Sequence, residues 1–160
     1  MTEKPPATLG VSMALGRGDG GPKPELVHAT TIALNGRAAL ITGPSGTGKS
    51  SLALGLMAFG ADLVADDQTL LERRGDQIWA RCPPSIVGMI EARGVGLLAA
   101  KSVDEAEVVV IVDLAHPAPA RLPERMERNV MGVAIDLVLG EPSSHLTFAL
   151  LQLLKHGRVP

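Results

Sequence analysis

Apolar residues in this chain occur in short runs separated by turns that contain glycine, asparagine or proline, which is typical of strands. The β-branched run at residues 26–34 and the apolar run at 37–42 flank an Asn-Gly turn, so together they predict a β-hairpin. Two short runs joined by a Gly-Asp turn predict a second hairpin over residues 70–80. Further strands are predicted at residues 61–67, 94–98, 108–113 and 130–139.

Helical spacing of apolar residues occurs in three places. Residues 51–59 predict a helix with Gly60 at its C-cap, and residues 145–154 predict a terminal amphipathic helix. A short helix is expected from Ser85, as its N-cap, through Ile90. Hairpins that alternate with helices predict an α/β domain with a mixed central sheet flanked by helices.

Length and composition limit the classes of protein that remain. With 160 residues, of which 46% are hydrophobic, the chain predicts one globular domain over residues 25–160, preceded by a flexible Gly- and Pro-rich segment at 1–24. The net charge of −2, the scattered basic residues and the scarcity of aromatic residues argue against a nucleic-acid partner. No apolar run approaches the roughly 20 residues that span a bilayer, so no membrane association is expected. A single cysteine, Cys82, favours a cytoplasmic location.

Residues 43–50 fit the phosphate-binding loop pattern G-x4-G-K-S without a mismatch. Glycines let consecutive backbone amides turn towards phosphate oxygens, and the following helix points its positive end at them. The lysine of this pattern reaches the β- and γ-phosphates, and the serine binds Mg²⁺. The predicted nucleotide-binding residues are therefore Gly43, Pro44, Ser45, Gly46, Thr47, Gly48, Lys49 and Ser50.

Two acidic residues, Asp66 and Asp67, follow at the end of the next predicted strand. Carboxylates in that position face a bound γ-phosphate, as phosphoryl transfer requires. Adjacent residues of an extended segment point to opposite faces, so only one of the two is expected to reach the reacting centre. The alternative is that both cap a solvent-exposed turn.

Four motifs in this order resemble the catalytic domain of the bacterial HPr kinase/phosphorylase family: His28, the loop GPSGTGKS, the segment 64–67 and the segment 90–98. The resemblance covers residues 26–139 and is closest to the short proteobacterial form that lacks the N-terminal domain. It implies a P-loop fold similar to the nucleotide domain of phosphoenolpyruvate carboxykinase. It also implies a protein-serine kinase that uses ATP and Mg²⁺ to phosphorylate HPr, or an HPr-like carrier protein of a bacterial phosphotransferase system, and that assembles as a homo-hexamer.

The resemblance also implies residue roles. Asp67 would accept the serine proton, with Asp66 beside it as an orienting group, and Lys49 would contact the transferred phosphoryl. Ser50 and Glu91 would hold Mg²⁺.

His28 would lie near the transferred phosphoryl, and Arg121 matches the position of a functional arginine in the family. Each of these has a structural alternative: His28 as a hydrogen-bonded strand residue, Glu91 as a solvated helix end, and Arg121 as a surface charge. Cys82 fits a packing role better than that of a nucleophile, because no base is placed near it.

The segment 139–145 lacks the arginines that the family uses for the reverse reaction, so weak or absent phosphorolysis is expected. Regulation through an N-terminal domain is likewise not expected. Two alternatives stay open: a regulatory module that binds ATP without catalysis, and a small-molecule kinase, since GPSGTGKS also occurs in guanylate kinases. The latter predicts an arginine-rich lid, which the sequence does not show.

Overall fold

The computed structural model describes residues 23–160, and these residues form eleven strands and two α-helices. The predicted flexible segment 1–24 falls outside the described residues except for its last two positions. The helices are α1 (Lys49–Ala58) and α2 (Ser144–His156), and a 3₁₀ turn covers Pro84–Ile86. The strands are β1 (Glu25–Val27), β2 (Ala29–Leu34), β3 (Arg37–Thr42), β4 (Asp62–Ala65), β5 (Thr69–Arg74), β6 (Gln77–Arg81), β7 (Met89–Ala92), β8 (Gly96–Ala99), β9 (Glu105–Asp113), β10 (Met126–Val130) and β11 (Val133–Leu139).

Nine of these strands form one mixed sheet in the order β1-β5-β6-β9-β3-β2-β4, with β11 and β10 joined to it. The strand β9 is at the centre and runs parallel to β3 on one edge. Its other edge is shared, because β6 pairs with its first residues and β11 pairs with its last four. The strands β7 and β8 form a separate two-stranded sheet.

The large sheet curls, so that β5 approaches β2 and β6 approaches β4 although neither pair forms a backbone ladder; the Thr69 hydroxyl of β5 donates to the Ala29 carbonyl of β2 at 2.9 Å. Alternation along each strand sends side chains to two separate cores. Along β3, for example, Ala39 and Ile41 join the core on one face, while Ala38 and Leu40 join the core on the other. The curl covers the second core with the sheet's own strands.

Both helices lie on the same face of the sheet, in contact with each other. The predicted helices therefore flank the sheet on one face only, because the curled sheet needs no helix on its inner face. Helix α2 begins where the Ser143 side chain accepts a hydrogen bond from the Leu146 amide at 3.0 Å. It buries Leu146, Leu150 and Leu154, which share one side of the helix at intervals of four residues.

Three predicted elements differ in the structure. Instead of a helix through Ile90, the 3₁₀ turn ends at Ile86, and the extended Val87 and Gly88 (φ 71°) lead into β7. The predicted strand at 130–139 is a hairpin of β10 and β11, which turns at Met131 and Gly132 with φ of 52° and 88°. The predicted strand at 26–34 is interrupted at one position, the residue between β1 and β2.

No helix in the described residues 23–160 is long and apolar enough to cross a bilayer.

Candidate functional site

The glycine-rich loop connects the end of β3 to the start of α1, in the predicted order of strand, loop and helix. Three of its glycines, Gly43, Gly46 and Gly48, have φ of 146°, 84° and 98°, which disfavour any residue with a Cβ. A Cβ on Gly48 would also lie 2.9 Å from Cγ of Pro142. The loop path therefore requires glycine for both backbone conformation and space.

Lys49 is buried at the base of this loop, and no carboxylate pairs with it within residues 23–160. Its Nζ donates hydrogen bonds to the carbonyl oxygens of Gly43 (2.8 Å) and Pro44 (3.2 Å). The Thr47 hydroxyl closes the loop with a 2.7 Å bond to the Pro44 carbonyl. Backbone carbonyls thus hold the ammonium group in place and leave its full positive charge at the loop.

Asp66 is buried where β4, β2, α1 and β7 meet. Its Oδ1 accepts hydrogen bonds from the hydroxyls of Ser50 (2.7 Å) and Thr30 (3.0 Å). Its Oδ2 accepts one from the backbone amide of Glu91 at 2.9 Å. One carboxylate therefore ties the glycine-rich loop to a neighbouring strand and to the β7–β8 hairpin.

Asp67 has a different environment from its neighbour. Its φ of 69° is left-handed, a conformation that Asp tolerates better than most residues, and its amide donates to the Thr30 hydroxyl at 3.1 Å. Its exposed carboxylate Oδ1 lies 2.6 Å from Nε2 of His28. Because an ionised carboxylate can only accept, the imidazole donates in this pair.

The extended segment assumed for the two acids is broken at Asp67, but of the two only Asp67 lines the cavity described below, so the expectation that one acid reaches the reacting centre stays a prediction. The left-handed turn at Asp67 lets both carboxylates lie at the loop, Asp66 against Ser50 and Asp67 at the open side. His28 reaches the same place because the chain is not extended between β1 and β2.

A cavity of about 230 Å³ lies at this junction. Asp66 and His28 do not line it but contact residues that do. A larger cavity of about 310 Å³, between α2 and the β10–β11 hairpin, contains none of the predicted site residues. The residues lining the smaller cavity are Ser45, Gly46, Gly48, Lys49, Ser50, Ser51, Asp67, Glu91 and Arg93.

Two arginines depart from the prediction. Arg121 is exposed in the irregular segment between β9 and β10 and does not line the cavity, so the structure does not bring it to the other predicted residues. Arg93, which the sequence interpretation passed over, does line it. The available signal was its nearness in sequence, since Arg93 lies two residues after Glu91, in the turn that follows β7.

The donor set at Asp66 fits a hard divalent cation. Within residues 23–160 this buried carboxylate has only neutral hydrogen-bond donors and no ion pair. Carboxylate and hydroxyl oxygens are ligands that Mg²⁺ accepts. The described part of the chain contains no cluster of three or more His, Cys, Asp or Glu side chains suited to a metal. Mg²⁺ would therefore need phosphate oxygens and water as further ligands, which is its usual mode of binding.

A second buried carboxylate, Asp113, ends β9 beside the last residue of β3. Its Oδ2 accepts from Nη2 of Arg128 at 2.7 Å, its Oδ1 accepts from the Ala115 amide at 2.8 Å, and His116 lies 3.5 Å away. Burial alone raises the pKa of Asp113, but the bonds from Arg128 and Ala115 outweigh it, so the pKa is lowered. This pair anchors the start of the irregular segment after β9.

Burial raises the pKa of the Cys82 thiol to about 11, with a smaller contribution from the negative charge of Asp66. A thiol with that pKa stays protonated at neutral pH and is a poor nucleophile. The packing role expected for Cys82 agrees with its place against the core on the inner face of the curl.

The fold and this site define a mixed α/β protein with a curled central sheet and a polar cavity at a glycine-rich loop. The profile of the HPr Serine kinase C-terminal domain matches residues 22–138. The chain belongs to this family.

Relatives and a solved structure agree with this assignment. The HPr kinase/phosphorylase of Alkaliphilus metalliredigens (strain QYMF) is 34% identical over 125 residues, which are 70% of this chain and 40% of the relative. That of Burkholderia lata is 44% identical over 78 residues, which are 48% and 24% of the two chains. The chain therefore spans less than half the length of these relatives. The structure of the Hpr(Ser) kinase/phosphatase from Coxiella burnetii matches with a TM-score of 0.71 and 25% identity, covering 82% of this chain and 88% of the other.

Proposed function

We propose that this protein transfers the terminal phosphoryl group of ATP to a serine of HPr, or of an HPr-like phosphocarrier protein. The observation that carries the proposal is the exposed Asp67 carboxylate, hydrogen-bonded to His28, at a cavity that Lys49 and Ser50 also line. A cation, a hydroxyl and an accessible base around one cavity are the groups that phosphoryl transfer to an alcohol requires. The relatives are HPr kinase/phosphorylases, and this supports HPr as the protein substrate.

In this proposal residues 43–50 form a phosphate-binding loop. Amides that follow positive-φ glycines, together with the N-terminus of α1, would donate to phosphate oxygens. Lys49 would exchange a carbonyl partner for the β- and γ-phosphates and would offset charge that develops in the transition state. Arg93 is a second cation that lines the cavity, whereas the role predicted for Arg121 remains a prediction.

We assign the Mg²⁺ ligands to Ser50 and Glu91, as the sequence predicts, with Asp66 holding the Ser50 hydroxyl in place. When bound, the ion would supply positive charge that offsets part of the charge of the phosphates. Asp66 would also fix the position of Glu91, since it accepts the hydrogen bond of that residue's amide.

Asp67 would accept the proton of the attacking serine hydroxyl. Its exposure leaves one carboxylate oxygen open to an incoming hydroxyl, while His28 holds the other. The bond from His28 orients the carboxylate for the role of a general base.

The reverse reaction, phosphorolysis, is proposed to be weak or absent. In the segment after β11, Pro142 packs next to the glycine-rich loop and Ser143 caps α2. This segment contains no arginine that could bind inorganic phosphate. Addition of phosphate to phosphorylated HPr should therefore release little pyrophosphate. Release at a rate comparable to the forward reaction would contradict this part.

The kinase proposal is tested with radiolabelled ATP, Mg²⁺ and purified HPr, comparing wild type with Asp67→Asn. Asn tolerates the left-handed backbone at this position, so the fold is expected to be kept. Loss of the general base should reduce phosphoserine formation by about 10²-fold or more. Asp76→Asn, in the exposed turn between β5 and β6, is the matched control and should leave transfer unchanged.

Other outcomes point to the alternatives. Nucleotide binding by wild type without transfer to any protein would favour a regulatory module. Label that appears on a nucleotide instead of on serine would favour a small-molecule kinase. Equal transfer by wild type and Asp67→Asn would remove Asp67 from the chemistry.

A further inference from the structure

We propose that one face of the β7–β8 hairpin is the surface on which the phosphocarrier protein docks. This docking face consists of Met89, Leu97 and Ala99, with Val95 at the turn. The inference rests on the proposed kinase function and extends it by naming where the protein substrate is held.

The register of the hairpin places this face beside the cavity. Glu91 pairs with Leu97, and Met89 pairs with Ala99, so the four side chains emerge on one side of the two-stranded sheet. Glu91 lines the cavity, and cross-strand neighbours have Cβ atoms about 5 Å apart. The docking face therefore starts at the cavity wall.

The two sides of the hairpin differ in exposure. On the inner side, Ile90 is 1% exposed in the core against α1, whereas its cross-strand partner Leu98 is 36% exposed. On the docking face Leu97 is 72% exposed, Val95 at the turn is 74% exposed and Met89 is 37% exposed. Within residues 23–160 no third strand pairs with β7 or β8. A contiguous apolar patch with charged residues at its rim is typical of a surface that another protein covers.

The position of the docking face beside the cavity indicates which kind of molecule would cover it. A small acceptor molecule would be contained by the cavity of about 230 Å³ and would leave these side chains in water. A serine on the surface of a folded protein can enter the cavity only if the protein around it lies on the rim. The apolar residues lie on the rim formed by Glu91 and Arg93, so a substrate protein that presents its serine to Asp67 must cover Leu97.

The test compares wild type with Leu97→Asp, measuring KM and kcat for purified HPr and the Kd for a fluorescent ATP analogue. A charge at the centre of the docking face should raise KM for HPr by about tenfold or more. The Kd for the nucleotide, measured without Mg²⁺ because residue 97 pairs with the proposed ligand Glu91, should stay unchanged, since residue 97 does not line the cavity. Val159→Asp makes the same kind of change at a 91% exposed position in the C-terminal tail, and it should alter neither quantity.

The outcomes separate this inference from the kinase proposal. Phosphorylation of HPr by wild type and Leu97→Asp with the same KM would overturn the docking face and leave the kinase function standing. If wild type transfers no phosphate to HPr, both fall. Analytical ultracentrifugation of wild type and Leu97→Asp tests whether this face instead joins copies of the chain. An assembly of wild type that Leu97→Asp dissociates would identify such a contact and would contradict the docking proposal.

Discussion

At the scale of single residues, the two adjacent acids illustrate how environment divides similar side chains. Asp66 is buried and accepts three hydrogen bonds, so it organises the loop and the hairpin. Asp67 is exposed, and within residues 23–160 its carboxylate forms a hydrogen bond to His28 alone. Thr30 links them, because its hydroxyl donates to the first carboxylate and accepts from the amide of the second.

Asp113 leads to a prediction about acid stability. Its pKa is lowered in the folded protein, because the bonds from Arg128 and Ala115 outweigh burial, so the folded state binds its proton more weakly than the unfolded state. Its contribution to stability is therefore present above the unfolded pKa of about 3.9 and is lost as pH falls through the folded pKa. Asp113→Asn should lower the free energy of unfolding at pH 7 by about 1–2 kcal/mol, since Arg128 is partly solvated.

Urea denaturation across pH 2 to 7 checks this prediction. The wild-type and Asp113→Asn curves should differ at neutral pH and converge in acid, because protonation removes what the substitution removes. The exposed Asp104→Asn variant is the control and should follow wild type at every pH. A difference that stays constant over the whole range would show that the charge of Asp113 does not stabilise the fold.

At the scale of elements, the connection from β3 to α1 depends on backbone conformations that only glycine adopts easily. Gly48 caps α1 with a φ of 98°, and it also contacts the segment that leads into α2. The loop is therefore fixed by its own backbone and by a proline from a distant part of the chain.

Gly48→Ala and Gly60→Ala separate these two causes. Both glycines have φ near 100°, so both variants carry backbone strain of about 1–2 kcal/mol. Only at Gly48 would the new Cβ meet another group, Pro142 at 2.9 Å, whereas nothing lies within 4 Å at Gly60. Thermal unfolding should therefore give a Tm for Gly48→Ala that is lower than that of Gly60→Ala by about 2–5 °C. Equal Tm values would mean that the Pro142 segment yields without cost.

At the scale of the whole molecule, one sheet separates two cores. The helices close the core on one face, and the curl of the sheet closes the other. Strands β2, β3 and β9 contribute side chains to both, so loss of either core should weaken the other.

Leu154→Ala tests this coupling. Leu154 is fully buried in the core beneath the helices, and its truncation should cost about 2–5 kcal/mol. The single tryptophan, Trp79, lies on β6, in the curled part of the sheet. Its fluorescence therefore reports unfolding of that part, whereas far-UV circular dichroism reports unfolding of the helices. Both signals should shift to lower denaturant by the same amount, as one cooperative transition requires.

Gln152→Ala, at an exposed position of the same helix, is the control and should leave both transitions in place. A shift in circular dichroism without a shift in Trp79 fluorescence would show that the two sides of the sheet unfold separately.

The sequence by itself determined the features that depend on neighbouring residues. The glycine-rich loop between a strand and a helix, the acids after the next strand and the family all follow from local order and spacing, and the structure and the family profile agree with them. Such features are readable because turn chemistry and loop conformation are set by a few adjacent residues.

Tertiary structure alone decided how distant segments meet. The left-handed turn at Asp67, the interruption of the first strand at His28, the place of Arg93 at the cavity and the exposure of Arg121 all arise from contacts between strands far apart in sequence. The position of both helices on one face depends on the curl of the sheet. Hydrophobic periodicity indicates which side of a helix or strand is buried, but the packing of the whole chain determines which element buries it.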